Sequence, residues 1–150
     1  MRISTLAICT ALAVAVVSVA PAAAETDTFS AKGTLSLKGT DAQGRQRYSG
    51  PLTSPGFGRG VATNLATINP DGTTTADLSV KFEFGTLKAK TTGTVVTDAA
   101  GNATFTGTGK ITGGTRAYKD GKGTFKYSGK SLAAGRITYN VNGKVQFPTR

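Results

Sequence analysis

The 150-residue chain has no histidine and no tryptophan, and its single cysteine and single methionine are Cys9 and Met1. Beyond residue 24 there is therefore neither thiol nor imidazole, which removes the usual ligands of zinc sites and the Ser/His and Cys/His nucleophile devices. No disulfide framework is available, so the fold must rest on packing and hydrogen bonds. Acids are scarce too, eight against 18 lysines and arginines. They are scattered, no Asp-x-Asp-x-Asp pattern occurs, and neither a metal site nor a cofactor is expected. No catalytic set can be assigned.

What is present begins with a leader pattern. Met1-Arg2 gives a positive start, Leu6–Ala20 is almost wholly apolar, and Pro21 precedes Ala22-Ala23-Ala24. Small residues at 22 and 24 fit cleavage between Ala24 and Glu25. The apolar stretch falls short of the roughly 20 residues that cross a bilayer. Leu6-Ala7-Ile8-Cys9 is not a lipobox, because the apolar run follows the cysteine. These residues predict a helical signal peptide at 1–24, a single domain at 25–150 and secretion to the extracellular side. Setting Arg2 aside leaves a formal charge of +9, which favours anionic surfaces such as cell-wall polymers, lipid head groups or nucleic acid.

The domain is written in period two. All 20 glycines and 23 threonines lie beyond residue 24, a bias toward strands and tight turns. Phe29, Ala31, Gly33, Leu35 and Leu37 share one face. Leu78, Val80, Phe82 and Phe84 alternate with Asp77, Ser79, Lys81 and Glu83, as in a half-buried antiparallel strand. Turns are predicted at 41–44, 69–72, 98–102, Gly113-Gly114 and Asn142-Gly143. Gly85 and Gly93 read as bulges or bends, and 48–60 reads as one long irregular loop. The count of seven to nine strands fits an all-β barrel or a β-sandwich. Glycines alternating with bulky residues on the apolar face favour a single antiparallel eight-stranded barrel, whose closure also removes exposed edges.

Residues 107–125 resemble the signature hairpin of the allene oxide cyclase/dirigent barrel superfamily. Ile111, Gly113, Gly114, Thr115, Tyr118, Gly121, Gly123 and Phe125 match its pattern. Arg116 departs where a third glycine is usual, and Lys119-Asp120-Gly121 replaces the common Ala-Gly-Ala spacer. The resemblance implies an eight-stranded barrel, often a homo-trimer, whose cavity takes a small apolar or phenolic ligand. Plant members add cyclase or dirigent-like steering chemistry. Their full set of pocket residues is not present here, and small secreted bacterial relatives have no assigned reaction.

Two sets of residues are candidates for binding. Tyr127 and Tyr139 fall on apolar faces, and Tyr48 lies beside the 48–60 segment. Their hydroxyls suit the polar end of a cavity ligand, or each ring is simply core with its hydroxyl turned to water or a carbonyl. Lys110, Arg116, Lys119, Lys122, Lys126 and Lys130 form a basic cluster, offset only by Asp120. It reads as a solvated face or as a site for an anionic envelope polymer; no nucleic acid is expected for an exported chain. Asp77 and Glu83, about 20 Å apart along one strand, are too distant for a direct pair. Ser128-Gly129-Lys130-Ser131 lacks the remainder of a phosphate loop.

Overall fold

The computed structural model describes residues 25–133 and 135–148. The leader pattern of 1–24, and with it the cleavage junction, lies outside them.

Eight strands follow one another: β1 (Thr26–Thr40), β2 (Gln46–Ser54), β3 (Gly58–Ile68), β4 (Thr73–Phe82), β5 (Gly85–Thr97), β6 (Ala103–Gly114), β7 (Lys122–Leu132) and β8 (Arg136–Gln146). Each pairs antiparallel with the next, and β8 returns to β1 along Thr26↔Gln146 through Ser36↔Arg136, closing the barrel. The fold is thus the eight-stranded barrel and not the sandwich. Among the described residues the only helical turn is a 3-10 turn at Arg116–Tyr118.

Alternation places the core inside. Leu35, Ile111 and Val145 are fully buried, with Leu78, Val80, Phe82, Leu87 and Val141 around them. Burying each such side chain contributes roughly 1.5–3 kcal/mol. Three of the turns share one device: Asp41, Asp71 and Asp98 each accept, through Oδ1, the backbone N–H two residues on. This Asx arrangement is why those sequences stop one strand and start the next.

Several sequence expectations are corrected. Residues 48–60 are not a loop; 48–54 belong to β2, 58–60 to β3, and only Pro55-Gly56-Phe57 connects them. Gly50, with Gly33 of β1, lets the two strands approach closely. A Cβ on Gly50 would lie 2.1 Å from the Thr34 carbonyl oxygen, and one on Gly33 would lie 2.3 Å from that of Pro51. Pro51, lacking an N–H, sits where the β1–β2 ladder skips between Gly33↔Leu52 and Ser36↔Ser49.

Asn142-Gly143 is no turn but lies within β8, where Gly143 makes room for Phe125. Gly113-Gly114 ends β6, and the connection to β7 runs from 115 to 121. Gly93 stays in register. The irregularities fall instead at Leu37/Gly39 and Lys88/Ala89. Gly85 opens β5 with φ +147°, a conformation that favours glycine, after a turn at Glu83-Phe84. That turn leaves Phe84 62% exposed, not facing the core, and Leu37 at the end of its strand is 42% exposed.

Candidate functional site

The barrel interior is filled from its glycines upward. The Phe125 ring occupies the place of a Cβ on Gly109, with 2.1 Å to the nearest ring carbon. The Tyr127 hydroxyl lies over Gly93 and Gly107, which face each other across β5 and β6. Phe82 covers Gly60 in the same way. At the end carrying the 3-10 turn, Phe29, Phe57, Phe82, Tyr118, Phe125 and Phe147 interlock at centroid distances of 5.5–6.2 Å. These tilted and edge-on contacts are the preferred aromatic geometries, and here they plug that end.

Among the described residues the interior holds small voids. An apolar one of about 30 Å³ lies beneath the aromatic plug, among Leu52, Leu78, Val80 and Leu87. A second, about 40 Å³, lies toward the opposite end. Each has room for a few waters at most, whereas sites for drug-sized molecules run to ~300–1,000 Å³.

The second void is where the tyrosines meet. Tyr48 from β2, Tyr127 from β7 and Tyr139 from β8 all line it, with Asn64, Thr74 and Thr91. Tyr127 and Tyr139 stack at 5.5 Å and 28°. The Tyr48 hydroxyl donates to Gln46 Oε1 at 2.7 Å. Burial raises the pKa of Tyr48, and burial followed by the neighbouring Tyr127 raises that of Tyr139 above the ordinary phenol range. Both hydroxyls therefore stay protonated at neutral pH. Asn64, which sequence pattern did not single out, contributes the one buried side-chain oxygen or nitrogen without a hydrogen-bond partner among the described residues, its Oδ1.

The basic cluster divides. Lys110, Lys122, Lys126 and Lys130 are exposed on the outer faces of β6 and β7, while Arg116 and Lys119 lie in the connection at the barrel end. Arg116 (φ 53°) and Asp120 (φ 62°) take left-handed backbone there. Tyr118, interleaved with these cations in sequence, is buried in the aromatic plug. What the structure adds to the outer face is Lys90 from β5, directly opposite Lys110, and Lys144 from β8, opposite Thr124.

The wall formed by β5–β8 carries eight exposed cations, Lys88, Lys90, Lys110, Lys122, Lys126, Lys130, Arg136 and Lys144, and no acid. Asp77 of β4 reaches Lys90 at 3.5 Å across the margin. That exposed pair is worth little. The alternation of Lys88, Lys90 and Lys144 with buried neighbours could have assigned them outward, but only the pairing order brings them beside Lys110 and Lys126. Among the described residues no three His, Cys, Asp or Glu side chains come together as metal ligands would. No protein-family model, curated protein or solved structure matches the chain.

Proposed function

We propose that this is a non-enzymatic binding protein of the cell exterior that holds an anionic envelope polymer on its basic outer wall. The observation that carries the reading is the acid-free surface of β5–β8 with its eight cations. Such a surface attracts polyanions by releasing their counterions, and long-range attraction raises the encounter rate. The filled interior supports the same reading, since a barrel built to carry a ligand of several hundred daltons needs more open space than voids of about 30 and 40 Å³.

The test is co-sedimentation of the purified protein with envelope polymer at increasing salt. Binding is expected to fall steeply between about 50 and 200 mM, as counterion release requires. Binding that ignores salt would count against the wall.

A second reading keeps the kinship with the allene oxide cyclase/dirigent barrels and places a small apolar or phenolic molecule among Tyr48, Tyr127 and Tyr139. Their convergence on one void, with Asn64 Oδ1 unpaired, favours it. Native mass spectrometry of protein from its own host separates the two. A trimer carrying bound mass of a few hundred daltons supports the cavity; bare protein that sheds polymer in high salt supports the wall.

A further inference from the structure

We infer that the polymer held on the basic wall is a polyol phosphate, a flexible chain of phosphodiester-linked sugar alcohols lying across the strands; this rests on the reading of the wall as a polyanion site. A groove of about 610 Å³ crosses the outer face of β5–β8, lined by Lys90, Lys110, Lys126 and Lys144 together with Thr108 and Asn142. Asn142 also borders a second hollow of about 340 Å³, which shares Lys32 with a third of about 550 Å³ reaching β2. From β5 through β8 and β1 to β2 this track spans five strand spacings, about 24 Å. That is the length of several repeat units, not of one small anion.

The side chains choose among polyanions. Every cation lining the track is lysine, a mobile point charge that suits phosphate without demanding the planar, two-pronged geometry of an arginine–carboxylate pair. Between the lysines stand threonine, serine and asparagine side chains, which exchange hydrogen bonds with hydroxyl groups. Phe125 and Tyr139 border the track, yet each is only 5% exposed, with its ring in the core. No aromatic face is therefore offered to a nucleobase or a sugar ring. Single-stranded nucleic acid normally takes such platforms. Lys90 stands directly opposite Lys110 and also meets Asp77 at 3.5 Å on its other side, so the groove keeps its positive charge chiefly through Lys110, Lys126 and Lys144.

The experiment is calorimetric titration of the protein with poly(glycerol phosphate), polygalacturonate and poly(dT), matched for charge and salt. Poly(glycerol phosphate) is expected to bind several-fold tighter than the other two. Lys126→Glu is expected to abolish most of that affinity, and Lys126→Gln to reduce it by less. Lys81→Glu, on β4 outside the track, changes net charge equally and is expected to leave affinity nearly unaltered; thermal melts verify that each variant is folded. Equal affinity for all three polymers overturns the polyol phosphate assignment while leaving the basic wall standing. Equal losses in Lys126→Glu and Lys81→Glu overturn the groove. No binding to any of the three at low salt overturns the wall itself.

Discussion

Single residues decide how full this barrel is. The ring of Phe125 stands where a side chain on Gly109 would be, so Gly109→Ala forces ring or backbone to move and is expected to destabilise by about 1–3 kcal/mol. Phe125→Leu in the same chain should recover part of that loss. Urea unfolding of the two single variants and the double variant measures the coupling, and simple additivity would refute the contact. Asn64 offers the converse case. Its buried, unpaired Oδ1 carries a penalty of about 1–3 kcal/mol. Asn64→Leu, similar in shape, should therefore raise the unfolding midpoint. A fall instead would refute that penalty.

At the scale of elements, the turns depend on pH. The pKa of Asp98 is lowered because its carboxylate accepts hydrogen bonds from the Asn102 backbone and side chain and from the Ala100 N–H. A carboxyl whose folded pKa is depressed contributes stability above its unfolded pKa, near 4, and loses that contribution as pH falls through the folded value. Asp98→Ala should thus be less stable than the parent at pH 7, and the difference should close on acidification. A difference that persists at the acid end would assign the loss to something other than the charged acceptor.

These turns and the β4 face were legible because local chemistry fixes them. At 41, 71 and 98 an Asp that takes the N–H two residues on, with a glycine within three residues, announces the chain reversal, and Leu78-x-Val80-x-Phe82 announces the buried face. The misreadings at 48–60, Gly93 and Asn142-Gly143 share one cause. Gly50, Gly60, Gly93 and Gly143 answer to partners distant in sequence, the Thr34 carbonyl, Phe82, Tyr127 and Phe125, and nothing adjacent to them names that partner. The same limit hid Lys90 and Lys144. Their outward direction follows from alternation, but their place beside Lys110 and Lys126 needs the pairing order. The tyrosine group was reached differently, since apolar faces marked Tyr127 and Tyr139 as inward and closure then brought Tyr48 to them.

For the whole molecule, closure is the governing fact. β1 and β8 run side by side from Thr26↔Gln146 to Ser36↔Arg136, so the two ends of the barrel chain are neighbours. A circular permutant that joins them through a short linker and opens at the Asp98–Asn102 turn retains all eight ladders. It should show the parent far-UV spectrum and cooperative melting, because exposed turns tolerate new ends. Aggregation of that permutant would mean that the order in which strands form matters as much as the contacts they finally make.

That order has its own consequence on the ribosome. The seam joins residues as far apart as Thr26 and Gln146, 120 positions, and loop closure over such distances is slow. A nascent chain holding β1 to β7 can form hairpins but cannot seal. Until the final strand has emerged, β1 and β7 each offer an open edge, and the growing polypeptide remains a ribbon that can still be threaded, chaperoned or lost to a neighbouring copy.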